Sequence, residues 1–242
     1  MILTLFSFFS LSLESSGNLY YGFYPTDDTL YNSDVSIWTR VTPIKIKEKT
    51  NFFIQYTTYL EMAEQKGKVI LDPAYADYSL IFGFQYSGRF YLSFYINHYC
   101  RHPIDREEKN GRVVFNAENF IISNAKNSAY RFQKTVYFRG SYIFYPQGII
   151  VDWLNSKPYY RHRFTMEFGK NINSFSQFAL GSEYTLSNDN PRKIYYKIQP
   201  GIYIFKRKEN QTLYTFIQYY IAAKGPFRSP SNLFFIGIGY SF

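Results

Sequence analysis

The residue types best suited to chemistry gather in one stretch, residues 97–108, which reads NHYCRHPIDREE. Two of the three histidines and the only cysteine of the chain stand there as His98, Cys100 and His102. Spaced i, i+2, i+4, they share one face of an extended strand. Imidazole and thiolate suit zinc or copper. Three donors at a strand end lack the further ligands a closed site needs, so no metal and no cofactor is assigned. A thiol whose pKa is lowered by its surroundings is a nucleophile, which is the second chemistry open to the stretch. The plain alternative is a strand-to-loop junction with exposed imidazoles. The chain has no Gly-rich phosphate loop, CxxC, HExxH or nucleophile elbow.

The elements that must position these residues follow from composition and period. The chain has 242 residues, of which 22% are aromatic and 46% apolar, so rings nearly match aliphatic side chains. Such a load excludes disorder, and a single cysteine excludes an intramolecular disulfide scaffold. No window holds the 18 or so apolar residues of a membrane helix. The dominant period is two. Over 75–86, Ala76, Tyr78, Leu80, Phe82, Phe84 and Tyr86 face one way, and Asp77, Ser79, Ile81, Gly83 and Gln85 the other. Residues 90–99, 160–168 and 194–204 alternate in the same manner. These strands exceed the usual length of about 5–6 residues, and their polar faces are rich in Tyr, Gly, Gln and charge. Short and long connections take turns along the chain.

The expected architecture is therefore an all-β, up-and-down antiparallel transmembrane barrel. Twelve strands are predicted over 19–24, 36–44, 51–61, 74–86, 90–100, 112–123, 135–145, 159–169, 175–186, 193–205, 211–221 and 233–242, with ten strands as the alternative count. A closed sheet pairs every backbone group in hydrocarbon. The short connections would lie on the periplasmic side and the long ones outside. Residues 1–18, an apolar run followed by Glu14, Ser15, Ser16, Gly17 and Asn18, read as a secretory signal and cleavage zone, although the first basic residue is Arg40. The barrel would then span 19–242. An outer-membrane location in a Gram-negative-type bacterium follows from that reading.

With the apolar faces outward, the lumen collects Arg40, Glu61, Asp77, Glu118, Arg139, Arg161, Arg163, Glu167, Glu183, Lys193 and Lys197. Opposite charges in a confined interior pair with one another, so the expected lumen is plugged, or narrow and conducting only small solutes. The formal charge of +9 lies largely in connections. Outer basic residues such as Arg101, Arg106, Lys109 and Arg112 suit lipopolysaccharide phosphates. No nucleic-acid-binding motif accompanies the charge.

The last ten residues, LFFIGIGYSF, alternate and end in Phe242. They resemble the terminal assembly signal of bacterial outer-membrane barrels, and the resemblance implies that the barrel-insertion machinery reads Tyr240 and Phe242. The segment YSLIFGFQYSGRFYLSFYINHYCRH, followed by NGRVVFNAENFIIS, also resembles an uncharacterised family of such barrels, which implies location and not activity. The trio His98-Tyr99-Cys100 is similar in spacing to the lipid-facing His-x-Ser pair of barrel phospholipases. That resemblance implies an orienting asparagine on the next strand, Asn116 or Asn119. Cysteine stands here where the phospholipases have serine, and the surrounding motif is not matched. Two functions remain from the sequence: a non-enzymatic membrane barrel serving as a small-solute conduit, and a lipid-acting hydrolase using His98, Cys100 and Asn116. A soluble β-sandwich or ligand-binding barrel is the third reading.

Overall fold

A computed structural model describes residues 9–26, 31–47, 49–62, 73–104, 113–146, 160–187, 192–224 and 230–242. Thirteen strand segments account for most of them. They are β1 (Phe9–Phe23), β2 (Ser33–Ile46), β3 (Thr50–Met62), β4 (Pro73–Ser87), β5 (Tyr91–Pro103), β6 (Val113–Ser123), β7 (Val136–Phe144), β8 (Tyr160–Asn171), β9 (Ser176–Ser187), β10 (Ile194–Lys208), β11 (Gln211–Tyr220), β12 (Ala222–Lys224) and β13 (Leu233–Ser241). Both β11 and β12 pair with β10 and are parted only at Ile221, so they form one stave. The sheet has twelve staves, all antiparallel. It closes where β1 pairs with β13 and β13 with β11. Among the described residues no helix is long and apolar enough to cross a membrane.

The alternation read from the sequence sorts the side chains between two surfaces. Phe84 (49% exposed), Ile204 (57%) and Met166 (66%) stand on the outward face. Tyr137, Gln177, Asn119 and Asp34 are almost wholly buried on the inward one. In water this arrangement would be inside out, because exposed apolar area costs free energy and buried polar groups must find partners. One side of the interior is packed with rings: Phe132, Tyr203, Phe205, Tyr214, Phe216 and Phe235 belong to one buried cluster. Gly237 and Gly239 make room for it, since a Cβ at either would collide with the ring of Phe216 or Tyr214.

Two parts of the fold differ from expectation. First, β1 begins at Phe9, so the boundary expected at residue 18 falls inside a strand. Ser15, Ser16 and Gly17 pair with Val41, Arg40 and Thr39. The small residues there have packing reasons: Ser16 Oγ accepts from Asn127 Nδ2 at 2.9 Å, and the ring of Phe242 lies over Gly17. Second, the link between β6 and β7 carries a 3-10 helix, Ser128–Gln133, capped by the Asn127 side chain, which accepts from the Ala129 N–H. The helix drives Phe132 into the aromatic cluster, 5.0 Å from the rings of Phe205 and Tyr214. This plug sits at the end of the barrel with the short connections, where the first and last strands also meet. At that seam Gly17 N–H donates to the Phe242 carbonyl at 2.8 Å, and Phe242 N–H to that of Gly17 at 3.0 Å.

Candidate functional site

β5 and β6 place the chemical residues on the outward wall. Along β5, Leu92, Phe94 and Ile96 are outward and exposed, and strand period carries His98 and Cys100 to the same side. In register, His98 lies between Leu80 of β4 and Asn116 of β6, and Cys100 between Tyr78 and Val114. His98 Nδ1 and Asn116 Oδ1 are 2.9 Å apart at an exposed position. The amide oxygen is an acceptor only, so Nδ1 carries a proton and donates, and in the neutral ring the lone pair is on Nε2. Cys100, a free and half-buried thiol, is two residues on, about 7 Å along the strand by ordinary strand rise. Asn119 has the opposite parity; it is buried inside and donates to the Ala117 carbonyl at 3.2 Å. His102 lies against the Tyr78 ring, with centroids 6.2 Å apart. Among the described residues no three His, Cys, Asp or Glu side chains converge as metal ligands would.

The lumen is the second constellation. Arg101, two residues from Tyr99 on the inward face, is 3% exposed and forks two carboxylates. Its Nη2 lies 2.6 Å from Glu61 Oε2, and its Nη1 3.0 Å from Asp77 Oδ1. Arg101 was expected among outer lipopolysaccharide-pairing cations, and it is instead the cation of the lumen's ion cluster. The other three cations of that expectation, Arg106, Lys109 and Arg112, lie outside the described residues. Arg40 holds Gln55 Oε1 through Nε (3.0 Å) and Nη2 (2.9 Å), with its guanidinium 3.8 Å over the Phe53 ring. Tyr137 donates to Glu167 at 3.0 Å, and Arg163 Nε lies 3.4 Å from Glu183. Arg139 is half-buried and opposite Glu167 in register. Lys197 faces inward opposite Glu183.

Three luminal expectations are corrected. Glu118 pairs with Ile96, an outward residue, so its carboxylate is on the outer wall. It shares that parity with Asn116, and residues two apart cannot lie on opposite faces. Arg161 falls at a register shift between Tyr160 and His162, and the extra residue leaves it exposed. Lys193 precedes β10 and is exposed at the rim.

Arg131, on the 3-10 plug, was not anticipated. It lies 4.2 Å over the Tyr203 ring, and its Nε donates to Gln177 Oε1 at 3.2 Å. Burial works against its charge, but Tyr203 and Glu167 more than offset that and hold its pKa above the ordinary value. Tyr240 is outward beside Leu19 and Leu213, and its ring stacks with Phe242 at 6.1 Å.

The interior divides into two chambers. One of about 370 Å³ lies toward the long connections, and one of about 450 Å³ toward the plug. Tyr59, Glu183 and Lys197 line both and form the waist between them.

No protein-family model matches the chain, and no curated protein matches it in sequence. Solved structures match its fold. The dimeric outer membrane phospholipase of Salmonella typhi with bound calcium is 11% identical, with a TM-score of 0.59 over 96% of this chain and 92% of that one. Outer membrane phospholipase A from Escherichia coli, in an active-site mutant with an asparagine replaced by alanine, is 10% identical, with a TM-score of 0.58 over 96% and 91%. The NanC porin is 11% identical, with a TM-score of 0.53 over 93% and 98%. The chain shares the architecture of outer-membrane barrels, both enzymes and porins.

Proposed function

We propose that this chain is an integral outer-membrane barrel that cleaves lipid acyl esters with Cys100, His98 and Asn116 on its lipid-facing wall. The observation that carries the reading is the 2.9 Å bond between His98 Nδ1 and Asn116 Oδ1, made on the outward face with the only cysteine two residues away. A cysteine–histidine–asparagine set is a competent nucleophile, base and orienter. An asparagine of the active site in the E. coli phospholipase supports the same assignment for Asn116. The apolar outer wall supports the membrane location.

The chemistry runs through this chain's own atoms. Asn116 holds the His98 ring with Nε2 unprotonated. Nε2 takes the Cys100 proton as the sulfur attacks the ester carbonyl carbon. The imidazolium then returns its proton to the departing glycerol oxygen, leaving an acyl thioester on Cys100. A water, deprotonated by Nε2, attacks the thioester. The fatty acid leaves and the thiolate recovers its proton. Placing these groups on the outer wall lets an acyl ester reach them by lateral diffusion within the leaflet.

The test is fatty-acid release from phospholipid in mixed micelles by the refolded protein. The reading requires release that is lost in Cys100→Ala and retained in Cys100→Ser. Equal release by wild type and Cys100→Ala, or none by wild type, overturns it.

The two luminal chambers favour a second reading, a narrow conduit for small solutes. Stepwise conductance in planar bilayers would support it. The ion cluster at Arg101 and the plug bearing Phe132 lie across that path.

A further inference from the structure

Much of the charge on the chamber toward the long connections is paired among the described residues. Glu61 and Asp77 are held by Arg101. Glu183 is shared by Arg163 and the Thr185 hydroxyl. Arg163 uses only its Nε for these contacts, donating to Thr185 Oγ1 at 3.1 Å and lying 3.4 Å from Glu183. Among the described residues its two terminal nitrogens have no acceptor. Its guanidinium carbon lies 5.2 Å from the centroid of the Tyr160 ring. Lys197 stands opposite Glu183 in register, yet among the described residues its ammonium makes no ion pair. Across the chamber, Asn97 Oδ1 is buried without a hydrogen-bond partner.

On this part of the lining a guanidinium fork and an ammonium share one carboxylate, which leaves one positive charge in excess there, while the Arg101–Glu61–Asp77 cluster elsewhere on the lining carries one negative charge in excess. A buried amide oxygen lacking a donor is unfavourable unless a ligand or water supplies one. The chamber, at about 370 Å³, falls at the small end of ligand pockets, which run from about 300 to 1,000 Å³. We propose that it is a binding site for a small hydroxylated carboxylate. The carboxylate group is clamped by the Arg163 fork and Lys197, a hydroxyl donates to Asn97 Oδ1, and the carbon skeleton lies against Tyr160. The site is independent of the outer-wall chemistry and is tested without it.

The experiment is calorimetric titration of the refolded barrel in detergent with gluconate, with sorbitol as the neutral open-chain probe of similar shape. Folding of each variant is checked by the gel shift between unboiled and boiled samples. Gluconate is expected to bind, and sorbitol about tenfold or more weaker, because a charge-assisted hydrogen bond is lost. Lys197→Met should weaken gluconate by a similar factor, and Asn97→Ala should weaken it less, with the barrel still folded. If Lys197→Met fails to fold, competition of gluconate by chloride decides instead: binding that is unchanged as chloride rises overturns the clamp. No gluconate binding, equal binding of sorbitol, or unchanged affinity in a folded Lys197→Met variant also overturns the proposal.

Discussion

At the scale of single residues, the outer wall and the lumen make opposite demands on polar side chains. On the wall, His98 and Asn116 satisfy each other in an apolar surround, and that mutual bond keeps the imidazole in the tautomer a base requires. His98→Ala is expected to lower fatty-acid release by about 10²–10⁴-fold, the usual contribution of a general acid–base group. Asn116→Ala should lower it less while leaving the fold intact. Both are read in the micelle assay, with unboiled gel mobility as the folding control. In the lumen, Arg101 is buried and holds two carboxylates. Arg101→Met should destabilise the barrel by about 3–5 kcal/mol in urea titration, because two buried carboxylates lose their cation. Adding Glu61→Gln and Asp77→Asn should recover much of that loss, since the charges that need pairing are then gone.

The same residues show what the sequence could convey. The outward position of His98 and Cys100 was legible from period alone, because Phe94 and Ile96 set the phase of the strand. Arg101 follows from that phase too, being inward by parity with Tyr99, but its place at a strand-to-loop junction made it resemble a loop cation. Glu118 was obscure for a different reason. The run VVFNAENFIIS carries apolar and polar residues on both faces, so it has no phase of its own and takes one only from its neighbours. The juxtaposition of Lys197, Glu183 and Arg163 on three strands depends on register, which period does not reveal.

At the scale of elements, the barrel depends on small residues where chains approach closely. The Phe242 ring occupies the space a side chain would need at Gly17, and the Trp38 carbonyl borders it. Gly17→Val is therefore expected to block closure of β1 on the last strand, seen as loss of the fast-migrating band in unboiled gels. If that band persists undiminished, the seam is not where the structure has it. The plug is held by Phe132, 2% exposed. Phe132→Ala should cost about 3–5 kcal/mol, the range for emptying a large aromatic site, measured by urea titration. Strands of this length announce themselves through alternation, whereas the six-residue 3-10 helix offered only the Asn127 cap. An apolar strand start and the core of a signal segment have the same local composition, which is why residues 9–18 read as a leader and pair as a strand.

At the scale of the whole molecule, the account rests on one inversion: apolar side chains outside, charges and hydroxyls inside, joined by a sheet with no free lateral edge over its closed length. That pattern is stable where the surroundings are hydrocarbon. The number of staves was within reach of the sequence because it rests on period, whereas the twelve-residue link between β6 and β7 broke the expected alternation of short and long connections. The division of the interior into two chambers was not within reach, because it depends on which inward side chains meet across the barrel.

The most direct measurement is quenching of tryptophan fluorescence by bromine-labelled lipid acyl chains in reconstituted vesicles. With Trp38 and Trp153 replaced by Phe, a single tryptophan is placed at Phe94 on the outer wall or at Ile81 on the inner one. The account predicts strong quenching for Phe94→Trp and little for Ile81→Trp. Equal quenching at the two sites, or none at Phe94, would contradict it.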